Sequence, residues 1–406
     1  MPLPRVQLDS SRPGASGWTC GTSAATATLR CASDGHVTRL LDAAGIQREW
    51  SNPPEALAWL EADVRDRPGA RWVGFISYDL GRWFEKLPVT AADDLRLPLF
   101  QFARVESESA PFPRKISPDS GAAKVVQSTF SRAQYLSAIE RAIDYICAGD
   151  VFQVNLSQRF TAPLGELPEA IYRRLTERSA SHYGGLLDFG DYALICNSPE
   201  LFLRVTSDSR TGERRVITRP IKGTRPNLPG MDEQLRDSVK DAAELNMIVD
   251  LERNDLGRVC RIGTVKVTQP RTIESHPTVF HGVATVEGTL REDVSFVDLL
   301  RATFPGGSVT GAPKIRAMQI IEELEPVRRG PYSGAIGYLD SDGTIEFNVA
   351  IRTMIATAGE IHIPVGGGIV ADSDPAAEYE ETLVKARAMF AALGLSLPSE
   401  QGRIRQ

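Results

Sequence analysis

Two predicted helices each carry a pair of acidic residues three positions apart. Asp241 and Glu244 form the first pair, and Glu378 and Glu381 form the second. Residues three apart share a helix face, so each helix could present two carboxylates together. Two such helices facing each other would supply the oxygen ligands that magnesium prefers. The spacing is equally compatible with solvated acids, and Glu381 with Lys385 also fits an i, i+4 ion pair.

One lysine lies in a segment whose backbone is restricted by proline and glycine. Residues 218–226 read TRPIKGTRP, with Lys222 at the centre. Proline fixes a backbone dihedral, and a rigid backbone can hold a reactive side chain in place. A nucleophilic lysine needs its neutral amine, and partial burial lowers the pKa enough to supply it. The alternative interpretation is a basic surface loop.

Two glycine-rich segments could approach a ligand closely. Residues 304–314 (FPGGSVTGAPK) precede a predicted helix, where amides favour an oxyanion, although the spacing is not that of a P-loop. Residues 366–368 are three glycines after a strand, which permit close backbone approach or merely a bulge. Arg352 lies in a predicted strand, where it would pair with a carboxylate of the protein or of a ligand. His281, in another strand, fits a core position as well as a catalytic one.

The elements that must position these residues are helices and strands without strict alternation. Ser131 with Gln134 forms a capping box, and Asp374 with Pro375 marks another helix start. The mixture predicts an α+β fold with large antiparallel sheets. We predict helices over 131–148, 232–254, 294–303, 312–325 and 375–393. We predict strands near 192–197, 200–205, 214–221, 263–268, 279–290 and 361–366, and a hairpin over 334–356 that turns at 341–343.

The segment 152–160 alternates apolar and polar residues and therefore predicts a strand with two unlike faces. Its polar residues are Gln153, Asn155, Ser157 and Arg159. A polar face on a well-formed strand points either to solvent or to a site.

Composition excludes several classes of function. The net charge is −6, and no basic run appears, so nucleic acid and anionic membranes are poor partners. No leader pattern and no apolar stretch of about 20 residues is visible, so we expect a cytoplasmic protein. The five cysteines are scattered without a CxxC and are expected to be reduced, buried thiols. Residues 106–123, rich in proline, serine and glycine, indicate a linker.

Taken in order, these segments resemble the motifs of the chorismate-utilising enzymes. The motifs are FQVNLSQRF (152–160), SPE (198–200), RPIKGT (219–224), MIVDLERNDLGR (247–258), 304–314, YSGAIG (332–337), IRT (351–353), 366–368 and EYEET (378–382). The resemblance covers about 128–393 and is weaker before that. It implies an anthranilate synthase component I-like fold, with antiparallel sheets packed as a β-sandwich flanked by helices. It also implies an N-terminal region (1–125), a chorismate-binding catalytic domain (128–395) and a short tail (396–406).

Within the family, the pattern is similar to that of aminodeoxychorismate synthase component I. Lys222 stands where anthranilate synthases typically have alanine, and residues 77–85 (SYDLGRWFE) also fit this group. Gln153 stands where isochorismate and salicylate synthases carry a water-activating lysine. The segment AELNM (243–247) departs from the usual AENLM, and Asn227 replaces a usual arginine.

The resemblance implies amination of chorismate at C4 with ammonia. The product would be 4-amino-4-deoxychorismate, a precursor of 4-aminobenzoate and folate. Two alternatives remain open. One is anthranilate synthase component I, which aminates C2 with loss of pyruvate, and the other is a non-catalytic chorismate-binding homologue.

The resemblance also assigns roles to individual residues. Lys222 would be the nucleophile and Glu200 the general acid. Magnesium is the implied cofactor, with Glu244 and Glu381 as ligands and Asp241 and Glu378 as further ligands or neighbours. The residues implied to bind or line the substrate are Arg352, Tyr332, Lys385, Gly367, Gly368, His281 and Thr285. Because the sequence contains no glutaminase motif, a separate glutamine amidotransferase is the expected ammonia source.

Overall fold

The computed structural model describes residues 3–10, 18, 20–105, 126–276 and 279–398. The strands within these residues are β1 Arg5–Asp9, β2 Cys20–Ala24, β3 Ala27–Cys31, β4 Thr38–Asp42, β5 Gly45–Trp50, β6 Arg71–Ile76, β7 Phe100–Val105, β8 Gln127–Ser128, β9 Gln153–Pro163, β10 Tyr183–Asp188, β11 Tyr192–Ser198, β12 Leu201–Ser207, β13 Arg214–Arg219, β14 Ile221–Pro226, β15 Lys266–Ser275, β16 Val279–Thr289, β17 Gly311–Ala312, β18 Ala335–Asp340, β19 Ile345–Val349, β20 Thr353–Thr357 and β21 Glu360–Ile369. The α-helices are α1 Pro53–Arg65, α2 Gly81–Phe84, α3 Arg132–Cys147, α4 Pro168–Arg178, α5 Met231–Asp237, α6 Val239–Gly257, α7 Phe296–Thr303, α8 Lys314–Leu324 and α9 Pro375–Ala392. Two short 3-10 helices cover Tyr78–Leu80 and Gly307–Val309.

The strands form two large sheets. Sheet I has the order β17-β9-β21-β20-β11-β10-β1-β2, with β8 also paired to β9. Sheet II has the order β14-β16-β13-β12-β19-β18-β6-β7-β3-β4-β5, with β15 also paired to β16. The two longest pairings, β21 with β9 and β15 with β16, are both antiparallel. The predicted α+β fold with large antiparallel sheets is confirmed.

The two sheets pack face to face around an apolar layer. Val6 and Leu187 of sheet I and Phe75 and Ile336 of sheet II belong to one cluster and are fully buried. Each such side chain removed from water contributes roughly 1.5–3 kcal/mol. The alternation of strand residues places these side chains inward, and the inner layer therefore makes the sandwich.

Helices cover the outer face of each sheet. On sheet II, Leu57 of α1, Leu245 of α6 and Leu299 of α7 pack in one cluster with Phe347. On sheet I, the residues that pack with Phe160 are Ile139 of α3, Ile171 of α4, Ile320 of α8 and Leu383 of α9. Helices α6 and α9, which carry the acidic pairs, therefore come from opposite outer layers.

The helix predicted over 232–254 is two helices. Ser238 ends α5 and caps α6, and its Oγ accepts a hydrogen bond from the Asp241 amide. A serine side chain that satisfies a free amide favours a new helix start over continuation. The break places Asp241 in the first turn of α6. The predicted helix over 312–325 likewise begins later, at Lys314, with Pro313 in extended backbone before it.

The predicted hairpin over 334–356 is shorter than expected. Strands β18 and β19 pair across the predicted turn, but β20 belongs to the other sheet, where it pairs with β11 and β21. The chain crosses between sheets at 350–352. Arg352 therefore does not lie in a strand, and its φ is +49°. Non-glycine residues rarely adopt this region, and such strain is common at functional sites.

Strand β9 shows that the polar face of 152–160 is not solvent-facing. Gln153, Ser157 and Arg159 are all buried, while Phe152, just before the strand, is exposed. The polar residues therefore line the interior, where each needs a partner or a ligand.

The N-terminal strands continue the same two sheets as the rest of the chain. Strands β1 and β2 extend sheet I, and β3 to β7 extend sheet II. The domain boundary near 125–128 stays a prediction, and the predicted linker at 106–123 lies outside the described residues, as does most of the predicted tail. Cys31, Cys196 and Cys260 are buried as expected, whereas Cys147 is exposed. Among the described helices, none is long and apolar enough to cross a bilayer.

The start of α9 provides a test of how local sequence sets the acidic cluster. Asp374 Oδ1 accepts a hydrogen bond from the Ala377 amide at 2.8 Å. We predict that Asp374→Ala lowers the free energy of unfolding by about 1 kcal/mol, whereas Asp374→Asn, which keeps the acceptor, changes it little. Urea unfolding of both variants is the measurement. An equal loss in both would contradict the capping role.

Candidate active site

Lys222 lies on strand β14 and not in a surface loop. Pro220, which lacks an amide hydrogen, separates β13 from β14, and both strands pair with β16. The pairing shifts register between Ile221 and Thr224, which indicates a bulge that can redirect a side chain. Gly223 makes this bulge possible, because its φ is +79° and a β-carbon there would lie 2.9 Å from Asp241 Cγ.

The surroundings of Lys222 exert opposite effects on the pKa of its amine. Burial lowers the pKa of its amine, and the nearby Lys385 ammonium lowers it further. Three carboxylates, Glu244, Glu200 and Glu381, act in the opposite direction. The net shift is downward, so the neutral amine is more accessible than in a solvated lysine.

Glu200 directly precedes strand β12 and is held by its own backbone. Its amide donates to Ser198 Oγ at 3.2 Å, and its carbonyl accepts from the Val349 amide at 3.0 Å. The side chain is only 4 % exposed. Glu200 therefore sits at the turn between β11 and β12 with little freedom to move.

Burial raises the pKa of Glu200 to about 7. Ser308, Lys222 and Arg352 each lower the pKa and partly offset the burial. A carboxyl group with this pKa holds its proton over a large part of the neutral range, which is the requirement for a general acid.

The glycine segment 366–368 serves close approach, not a bulge. Strand β21 pairs with β9 without a register shift through all three glycines. A β-carbon at Gly368 would collide with the Gln153 side-chain amide and stand 3.2 Å from Lys222 Nζ. A β-carbon at Gly367 would lie 3.5 Å from Glu378 Oε2 and 3.8 Å from Glu381 Oε1. The bare backbone therefore brings the lysine, the amide and the acids to one place.

Gln153 belongs to the polar face predicted for strand β9 and stands where water-adding relatives carry a lysine, but no role of its own was predicted for it from the sequence. It is 0 % exposed, and neither atom of its amide has a hydrogen-bond partner among the described residues. A buried amide without partners costs free energy, so it is a natural candidate to bind a ligand group. The signal in the sequence was the polar face of its strand.

Three glutamates from two helices influence one another. Burial raises the pKa of Glu244, and Glu381 on the other helix raises it further. Burial also raises the pKa of Glu378, whose Oε1 accepts from Ser373 Oγ at 2.6 Å. Glu381 pairs with Lys385 at 2.7 Å, and this cation lowers the pKa of Glu381.

The fourth predicted acid is engaged elsewhere. Asp241 Oδ2 forms an ion pair with Arg225 at 2.8 Å. Glu244, Glu378 and Glu381 thus remain as the donors that could hold a metal. Burial raises the pKa of Glu244 and Glu378, whereas Lys385 lowers that of Glu381. Gathered carboxylate oxygens of this kind are donors that fit magnesium.

Two of the predicted substrate-binding cations lie at this cluster. Arg352 is close enough to Glu200 that the carboxylate raises the arginine pKa against the larger lowering by burial. Lys385 Nζ donates to the Gly366 carbonyl at 3.0 Å. Arg352 thus acts on Glu200 and Lys385 acts on Lys222, and a substrate with two carboxylates could use both cations.

The other three side chains predicted to bind or line the substrate interact with further groups. His281 Nδ1 lies 2.9 Å from Thr224 Oγ1, and burial and Arg352 lower the histidine pKa well below its usual value, so the ring is neutral. Thr285 Oγ1 donates to Gln269 at 3.1 Å. Tyr332 has its pKa raised to about 12 by burial, and its neighbours include Arg329. The described contacts of Thr285 and Tyr332 are with groups other than Lys222 and Glu200, and their role in substrate binding stays a prediction.

Glu252 is a further buried acid that the sequence analysis did not identify. Its Oε2 accepts from Thr218 Oγ1 at 2.6 Å, and burial raises its pKa to about 8, with Glu200 adding to the effect. It lies eleven positions after Asp241, about three helical turns, and so shares that face of α6. This periodicity was the available signal.

Comparison with known proteins identifies the family to which the chain is similar. The chorismate-binding enzyme family matches residues 17–391. Anthranilate synthase component 1 of Thermus thermophilus is 43 % identical over 366 residues, covering 80 % of this chain and 77 % of that protein. Aminodeoxychorismate synthase component 1 of Bacillus subtilis is 37 % identical over 378 residues, covering 82 % and 78 %.

A solved structure agrees with these relatives. Anthranilate synthase component I from Streptococcus pneumoniae superposes with a TM-score of 0.76 at 29 % identity, covering 95 % of this chain and 92 % of that one. The resemblance seen in the motifs is therefore matched over both sheets of the sandwich, and the chain belongs to the chorismate-binding enzyme family.

Proposed function

We propose that this chorismate-utilising enzyme replaces the 4-hydroxyl of chorismate with an amino group, the aminodeoxychorismate synthase component 1 reaction. The observation that supports the proposal is the setting of Lys222. The pKa of its amine is lowered, its Nζ and the Gln153 side-chain amide both lie next to Gly368, and it interacts with Glu200. A relative with this printed name is 37 % identical. The product would feed 4-aminobenzoate and folate biosynthesis.

The first step removes the 4-hydroxyl. The Lys222 amine would form a bond to C2 of the ring while the ring double bonds shift and the C4–O bond breaks. Glu200 would give its proton to the departing oxygen, so that water leaves in place of hydroxide. Arg352 and Lys385 would orient the two substrate carboxylates.

The second step delivers the amino group. Ammonia would add at C4, the double bonds would shift back, and the C2–N bond to Lys222 would break, returning the lysine as an amine. The ammonium formed at C4 would lose one proton to the Glu200 carboxylate, which restores the starting state. Two displacements of this kind each have a lower barrier than one direct displacement.

Magnesium is part of the proposal. Glu244 and Glu381 would hold the ion, with Glu378 beside them. When bound, the ion supplies positive charge that polarises and orients a substrate carboxylate. We also propose that a separate glutamine amidotransferase supplies ammonia, which accords with the component 1 names of the relatives.

Anthranilate synthesis is the second candidate, because the relative at 43 % identity carries that name. That reaction places the nitrogen at C2 and releases pyruvate. Lys222 distinguishes the two proposals, since a lysine that adds at C2 blocks this carbon against ammonia and directs it to C4.

The first prediction concerns the product. With chorismate, magnesium and ammonium, we predict an aminated product that keeps its enolpyruvyl group and yields 4-aminobenzoate with an added lyase. Lys222→Ala should lower this rate by at least roughly two orders of magnitude, whereas Lys266→Ala, which removes an exposed lysine of β15, should retain most of it. Chromatography with mass detection is the measurement. Anthranilate from the wild-type chain, or full C4 amination by Lys222→Ala, would contradict the proposal.

The second prediction concerns pH. The reactive state has a protonated Glu200 and a neutral Lys222, so the pair carries one proton. We expect kcat/KM to fall at low pH because Lys222 is protonated, and at high pH because Glu200 is deprotonated. At constant free ammonia, Glu200→Gln should be slower by about 10²–10⁴-fold. Its kcat/KM should no longer fall at high pH, because Lys222 is then the only group of the pair that titrates. A profile of unchanged shape in Glu200→Gln would exclude Glu200 as the acid.

The third prediction concerns the space at Gly368. Gly368→Ala should lower kcat by about 10²-fold or more, because the new methyl group displaces the Gln153 amide and crowds Lys222. Gly257→Ala is the matched control, since a β-carbon there meets nothing within 4 Å. Circular dichroism would show that both variants fold. Near-normal turnover by folded Gly368→Ala would show that the convergence at this glycine is not needed.

A further inference from the structure

Three of the five histidines of the chain form a buried row beside the candidate active site. The ring centroids of His182 and His276 are 5.2 Å apart with an interplanar angle of 86°, and those of His276 and His281 are 4.8 Å apart at 75°. His281 lines the site through Thr224 and Arg352, as described above. The other two rings extend away from it, and the proposed amination reaction gives them no role.

A carboxylate completes a group of metal-ligating side chains at the far end of this row. One ligand atom each from His182, Glu274 and His276 lies within 4.8 Å of the others. Glu274 Oε2 stands 3.9 Å from His276 Nε2. The other oxygen of Glu274 forms an ion pair with Arg219, so Oε2 is the atom directed towards the histidine.

Two of the three side chains come from the end of β15 and the residue after it, and the third comes from the other sheet. Glu274 lies on β15, directly opposite His281 of β16. The His276 amide donates to the Val279 carbonyl at 2.8 Å, and its carbonyl accepts from Asn227 Nδ2 at 2.6 Å. His182 immediately precedes β10 in sheet I. The group therefore bridges the two sheets of the sandwich.

We propose that His182, Glu274 and His276 form a binding site for a divalent transition metal ion such as Zn²⁺ or Co²⁺. Imidazole nitrogen with one carboxylate is a donor set that suits these ions and does not suit magnesium, which prefers oxygen. Three protein ligands leave a position for water or another ligand. This site is separate from the glutamates of α6 and α9, and it does not depend on the amination reaction.

The surroundings limit how strongly and how selectively such an ion binds. Zn–N distances of about 2.0–2.1 Å place donors roughly 3.4 Å apart in a tetrahedral site, so the side chains must rotate inward. The Arg219 guanidinium, paired with Glu274, repels a second cation. The site therefore favours ions held by imidazole coordination over ions held by charge alone.

The test is a Co²⁺ titration of the full chain with magnesium in excess, followed by visible absorption and calorimetry. The wild-type chain should bind one Co²⁺ and show a ligand-field band, which should disappear when Zn²⁺ displaces the Co²⁺. His182→Ala and His276→Ala should each weaken binding by at least about tenfold, consistent with loss of one of three ligands. His36→Ala, an exposed histidine, and Glu244→Gln, a predicted magnesium ligand, should keep the wild-type affinity.

Three results would overturn the site. They are no Co²⁺ binding by the wild-type chain, unchanged binding in folded His182→Ala, and loss of binding in Glu244→Gln alone. Circular dichroism without metal shows whether a variant folds. If His276→Ala does not fold, His182→Ala and Glu274→Gln decide the question, because each removes a different ligand.

Discussion

The amine of Lys222 is held between burial, which disfavours its charge, and three carboxylates, which favour it. The need to bury this amine beside carboxylates accounts for two further features of the site. Gly368 has no side chain because the Gln153 amide and the lysine occupy that space. Glu200 keeps a proton near neutrality because the same burial acts on a carboxyl group with the opposite sign. Burial therefore favours the neutral amine of Lys222 and the protonated carboxyl of Glu200 together.

The sandwich is what brings these groups together. Lys222 and Glu244 belong to strand β14 and helix α6, on sheet II, whereas Gly368 and Glu381 belong to strand β21 and helix α9, on sheet I. Neither layer contains the whole constellation. The acidic cluster, the lysine and the glycine backbone meet only when the two sheets pack, so the apolar layer between the sheets is needed to assemble the site. The histidine row crosses the same interface with a different set of ligand atoms.

Local patterns predicted local structure well. The capping box at Ser131 and the Asp374 cap both appear as expected, because a cap depends on residues within one turn. The paired acids Glu378 and Glu381 also share their predicted face. The break at Ser238 was missed because helical periodicity continues through it, and only the hydrogen bond of its side chain to the Asp241 amide reveals the new start.

Long-range features could not be derived from spacing. The spacing of Asp241 predicts a magnesium ligand, but it could not reveal the ion pair of this carboxylate with Arg225 of β14. Arg352 was expected inside a strand, and its actual conformation, with φ of +49°, is imposed by the crossing between two sheets. The partnerless amide of Gln153 has no local signature either, because the absence of a partner depends on every element packed around it.

The proposed reaction depends on a covalent bond between the Lys222 amine and the substrate ring. Intact-protein and peptide mass spectrometry after rapid quenching, with chorismate and magnesium present and ammonia withheld, tests this most directly. We predict a mass increase equal to chorismate less one water, located on the peptide that contains Lys222 and absent from Lys222→Ala. An unmodified Lys222 peptide in a preparation that aminates C4 once ammonia is added would contradict it.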